Sequence, residues 1–303
     1  MVTSTTATRA LAGNSRRHAM FVAFIVISSV AFYRTLSAVI RYSLASSDSS
    51  SHIVLIPIIS FFLLYLERQR IFSVTRTSIV PGTSLALLGI LLFELINRSS
   101  IPQDGNWRLC LETLCVVLVW IAGFLFCYGF AALRAAAFPL LFLSLMVPLP
   151  DVILDHAVYA LQSGSTEISY LIFQLVGTPV SRHGFLLSVP GVTIEVAKEC
   201  SSIRSSIALF ITCLLAAHLY LRTTWKKFVF VVLGLLLSVV KNGIRITTLT
   251  LLSVYVDPGF LYGRLHRQGG FVFFLIALLI LLPVFLWMEK TDKQRKGPGN
   301  PDV

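Results

Sequence analysis

"GGFVFFLIALLILLPVFLWM" runs from Gly269 to Met288, twenty residues without a single charge. At about 1.5 Å of rise per residue, a helix of that length spans roughly 30 Å, the hydrocarbon thickness of a bilayer. A helix on a soluble domain keeps a polar face, and this stretch has none. It therefore reads as a transmembrane helix. Basic residues follow at once in "EKTDKQRK", as expected where a span leaves the bilayer on the cytoplasmic side.

The pattern recurs upstream. Apolar runs at about 19–39, 53–66, 81–97, 109–130, 136–149, 203–221 and 225–240 bring the expected number of spans to eight. Composition agrees: 56% of the chain is hydrophobic and 13% charged, against roughly 25% charged in soluble domains. Mean hydropathy is +0.82. The fold class expected is an all-α polytopic membrane protein, a single integral membrane domain over 1–303 with its core at 19–288. The first run follows Arg9, Arg16 and Arg17 and lacks a clean small-residue cleavage site, so it is expected to remain as a span.

The net charge of +11 does not point to nucleic acid, because the excess lies in short segments between apolar runs. With the N-terminus inside, inner segments hold 14 of the 25 Lys and Arg residues. "RTTWKK" and the basic tail 289–303 weigh most. Both termini are thus expected in the cytoplasm.

Residues 151–199 differ in character. "DVILDHAVYALQSGSTEISYLIFQLVG" mixes Asp151, Asp155, His156, Gln162 and Glu167 with apolar residues, which suits a helix lying at the interface. "GFLLSVPGVTIEVA" reads as two short strands around Pro190-Gly191. The expectation is a small extracytoplasmic cap, an amphipathic helix plus a β-hairpin, between spans five and six.

That cap leads into Cys200. Cys110, Cys115, Cys127 and Cys213 sit in apolar runs as small hydrophobes. Cys200 instead stands in "EVAKECSSIRSS", at a helix start among Lys198, Glu199 and Arg204. Unpaired N–H groups and neighbouring cations lower a thiol pKa there, while Glu199 opposes them. Arg204 falls four residues on, on the same helix face. Two further segments end at the same expected membrane face: "KNGIRITTL", with Asn242 and Arg245, and "YGRLHRQGG", with His266. An arginine is a permanent fork for an oxyanion or carboxylate, and a histidine exchanges protons near neutral pH. Cysteine, arginine and histidine together are the parts of an acyl-transfer site. No CxxC pair or HExxH is present and no phosphate-binding glycine loop, so neither a metal nor a cofactor is expected. The competing class is a transporter or other non-enzymatic membrane protein using Arg34, Glu94 and Glu112, although no inverted repeat is evident.

"FPLLFLSLMVPLP", "GVTIEVAKECSSIRS", "KNGIRI" and "LHRQGGFVFFL" resemble the exosortase/archaeosortase family of membrane-embedded cysteine transpeptidases. "SSHIVLIPIISFFLLYL" is similar to that family's early Ser-His-Gly stretch and brings in His52. The resemblance implies Cys200 as nucleophile, with Arg245 and His266 as partners. Ser202 stands where the family usually has glycine, and so does Ile53. It also implies the partners: membrane-anchored proteins with a C-terminal sorting tail, made of a Pro-Glu-Pro-like motif, a transmembrane helix and a basic cluster. The expected location is the bacterial inner membrane with the site on the extracytoplasmic face, often alongside exopolysaccharide production.

Overall fold

The structure, a computed structural model, describes residues 3–45, 50–73, 76–99, 106–198, 203–261 and 264–295. It is helical except for one small sheet. Five helices are long and apolar enough to cross a membrane, or up to seven if each of two bent pairs is one span. These account for five to seven of the eight expected spans among the described residues. Apolar runs were counted by hydropathy, and three of them do not form one long helix. The chain divides into two compact units, 1–153 and 154–303.

In the first unit, α1 (Thr3–Ala31) and α2 (Tyr33–Ala45) are bent by 78° at Phe32. Arg34 and Arg41 make α2 unlike a lipid-facing helix, and its buried stripe is Thr35, Val39 and Ser43. α3 (Leu55–Leu66) has 12 residues, about 18 Å of helix. α4 (Arg68–Ile71) is a single turn. α5 (Ile79–Arg98) lies along α6 (Trp107–Ala135). Over its most apolar window α6 is 56% buried against 11% for α5, so α6 is the central helix of this unit. At Gly129 the chain takes φ +82, and a Cβ there would lie 1.7 Å from the Arg76 carbonyl oxygen. Only glycine lets the 76–78 segment pass this close, with Arg76 N–H donating to Tyr128 O at 3.2 Å. α7 (Ala137–Phe142) and a 3₁₀ turn (Leu143–Met146) fill the expected fifth span; together they are too short to cross. Pro148 and Pro150 follow at once.

The second unit takes in most of α8 (Asp151–Leu175), whose buried residues are Val158, Gln162, Ser165, Thr166, Ser169 and Phe173. They recur at helical spacing, so one face is buried, and half of it is hydroxylic. β1 (Ser181–His183), β2 (Leu186–Val189) and β3 (Val192–Glu195) form an antiparallel sheet in that order. β2 and β3 flank Pro190-Gly191, with Gly191 at φ +90. α9 (Ile203–Tyr220), α10 (Thr224–Tyr255) and α11 (Arg264–Arg295) complete the unit. A core of Leu209, Cys213, Ala217, Phe230, Ala277 and Leu281 joins them. α10 has 32 residues, about 48 Å, where the sequence suggested a span ending at Val240. Its start has no side-chain cap of its own. Asp292 of α11 supplies one, accepting from the Arg222 and Thr223 N–H groups and the Thr223 hydroxyl, with Lys226 Nζ at 3.6 Å. The basic segments around Arg222 and Lys290 thus meet at one end of this unit.

Candidate active site

Cys200, with Glu199, Ser201 and Ser202, lies outside the described residues. The chain on either side of this stretch is tied down. Upstream, Val196 is buried; its N–H donates to Phe185 O at 3.0 Å, and its carbonyl accepts from Gln162 Nε2 of α8. Lys198 reaches Asp155 of α8 at 3.3 Å. Downstream, α9 starts at Ile203, and Ser205 Oγ in its first turn accepts from Lys241 Nζ of α10 at 2.6 Å. Ser206 Oγ, next to it, is buried and has no hydrogen-bond partner among the described residues. Arg204 is exposed.

Arg245 lies one turn beyond Lys241 on α10 and is half-buried. Asn242, 1% exposed, donates its amide to Ser165 Oγ of α8 at 2.9 Å. Ser169 adds a bond to Gly243 O at 3.2 Å, and Thr247 a longer one to Ser169 O. Small residues permit these contacts: a Cβ on Gly243 would lie 2.4 Å from Ile168 Cγ2. Asn242 therefore fastens the Arg245 segment to α8. Lys241 lies 17 residues past Thr224, about 26 Å along α10 from the end capped by Asp292. That is close to the roughly 30 Å of a hydrocarbon core.

His266 falls in the first turn of α11; its side chain lies outside the described residues. Arg245 precedes the end of α10 by ten residues, about 15 Å, so α10 continues well past the arginine before the chain turns back. His52 belongs to the first unit, in the turn before α3, where Leu55 N–H donates to its carbonyl at 2.9 Å. Burial pulls its imidazole below the ordinary histidine value of 6.5.

Other locations offer less chemistry. Cys110, Cys115, Cys127 and Cys213 are buried thiols. An apolar groove of about 580 Å³ between α9, α10 and α11 is lined by Thr212, Cys213, Phe230, Leu278 and Phe285 among others, with no acid, base or cation. Among the described residues no three His, Cys, Asp or Glu side chains gather as a metal site. Glu112 is engaged by Arg108 at 2.8 Å and Thr35 at 2.9 Å, and Glu94 by Arg98 at 2.8 Å.

A family profile described as transmembrane exosortase matches residues 44–283, from the end of α2 well into α11. The chain belongs to the transmembrane exosortase family. Comparison with curated proteins and with solved structures finds no match. At the level of the family, this exosortase is an integral membrane transpeptidase acting on membrane protein substrates. The matched range includes every site residue named from the sequence. Two residues of this exosortase escaped the sequence reading: Lys241 and its partner Ser205. Their signal was a lysine one residue before Asn242, in a helix uncharged for 13 residues upstream.

Proposed function

We propose that this exosortase cleaves C-terminal sorting tails through a thioester on Cys200. The thiolate attacks the scissile carbonyl carbon, a C–S bond forms, and the charge collects on the carbonyl oxygen. Arg245 holds that oxyanion with its guanidinium. The C–N bond then breaks, and His266 gives its proton to the leaving amine. An incoming nucleophile, amine or water, loses its proton to His266 and releases the thiolate. The observation that carries this reading is the Lys241–Ser205 bond. It brings the Lys-Asn-x-x-Arg segment of α10 against the first turn of α9, five residues after Cys200 in the chain.

The same helices support an extracytoplasmic location. If the basic end capped by Asp292 faces the cytoplasm, as the positive-inside rule directs, the Lys241 level lies toward the outer face of the inner membrane. There it meets a substrate held by its own transmembrane helix, and a cationic site suits an acidic motif beside the scissile bond. The test is to incubate a tailed substrate with the intact enzyme and with Cys200→Ala, then look for the acyl-enzyme by mass. A hydroxylamine-labile adduct on the intact enzyme alone is expected. Processing by Cys200→Ala would sink the mechanism.

A further inference from the structure

Lys241 is a buried charge that the proposed chemistry does not use. It is 4% exposed, and its sole hydrogen-bond partner among the described residues is the neutral Ser205 hydroxyl. Burying an ammonium without a counter-charge is costly. Arg245, one turn on, is a second cation and adds repulsion. Methionine would fill this place more cheaply, and an ionisable side chain at membrane depth marks function by default.

The bond itself shows what the lysine does. It crosses from α10 to the first turn of α9, and together with the Gln162 bond to Val196 it brackets residues 199–202 from both sides. We propose that Lys241 is a positioning residue for transpeptidation: its ammonium pins Ser205 and so fixes the turn after Cys200 in register with Arg245. The proposal rests on Cys200 as nucleophile. Lysine suits the task, with three donors on a stem long enough to reach a neighbouring helix. Register matters because a displacement of about 1 Å between reacting groups costs about a hundredfold in rate.

The experiment compares Lys241→Met, Lys241→Arg, Ser205→Ala, the Met/Ala double variant and Cys200→Ala, each as the full chain in nanodiscs with a membrane-anchored substrate. Lys241→Met should lower kcat about a hundredfold with KM within about threefold. Lys241→Arg should recover about tenfold of that loss, since it keeps a cationic donor. Ser205→Ala should lower kcat at least about tenfold, and the double variant should be no worse than Lys241→Met, because both remove one contact. Lys241→Met with kcat within about twofold of the parent, no recovery by arginine, or losses that multiply in the double variant would each overturn the role. If Lys241→Met does not accumulate, Ser205→Ala decides alone on its kcat. An active Cys200→Ala means the nucleophile is wrong; an inactive Cys200→Ala beside a fully active Lys241→Met means only the positioning role is wrong.

Discussion

Arg245 and His266 divide the work by what each can do with a proton. A guanidinium keeps its charge and offers a planar fork; an ammonium keeps the charge and loses the fork. Arg245→Lys should therefore accumulate normally yet turn over a tailed substrate about a hundred- to a thousandfold more slowly. His266→Ala should shift the pH dependence of Cys200 alkylation by iodoacetamide, read from the Cys200 peptide by mass spectrometry. Identical curves in parent and variant would remove His266 as the proton partner of the thiol. At Gly129, alanine would need both an unfavourable φ and the displacement of Arg76 O. A loss of at least about 1–3 kcal/mol in thermal unfolding is expected. The three proposed reactive residues were readable from short motifs, but Lys241 was not. A lysine beside an apolar run looks like a span end, where its head would reach water. Only the length of α10 shows that the helix continues 14 residues past it, to Tyr255.

Elements were legible where one helix equals one apolar run. α5, α6, α9 and α11 lie where hydropathy puts them. Hydropathy failed at the α1–α2 break, since Phe32 is neither proline nor glycine and packs edge-to-face on Phe93 at 4.7 Å. For α8 the mixture of Asp151, Asp155, His156, Gln162 and Glu167 suggested an interfacial helix, and the reading did not show that Gln162 and the hydroxyls of Ser165, Thr166 and Ser169 are buried. Hydroxyls of this kind bond across helices and back to their own carbonyls, as Ser169 does to both Gly243 O and Ser165 O. The cross-helix cap on α10 is an element-scale property as well. Asp292 is 2% exposed and satisfies the two backbone N–H groups that lead into α10, those of Arg222 and Thr223. Asp292→Asn should lower the detergent-solubilised Tm by an amount equivalent to about 1–2 kcal/mol. An unchanged Tm would mean that water satisfies the helix start equally well.

For the whole molecule, parity of spans decides which termini share a side. Seven crossings put the two ends of the chain on opposite faces, and an even number puts them on the same face. α3, at 12 residues, is the element that decides between these. Reporter fusions after Glu67, Arg222 and Lys290 should all report the cytoplasm, and a fusion near Gly177 the outside. An inside signal near Gly177 would overturn the proposed orientation. A fusion near Ser50, just before α3, that reports the same side as the one after Glu67 would remove α3 as a crossing. Composition made membrane class plain from the sequence. It could not resolve broken helices, because a hydropathy window averages over a 78° bend without registering it.

The Asp292 cap also sets an order of events in synthesis. Arg222 and its capping carboxylate are separated by 70 residues. At roughly 5–20 residues per second, the ribosome delivers Asp292 about 4 to 14 s after the start of α10 has been made. During that interval α10 can enter the bilayer, but the Arg222 and Thr223 N–H groups just before it lack this acceptor. α11 therefore finishes the helix that carries Arg245, and that helix gains this anchor only when synthesis has passed residue 292.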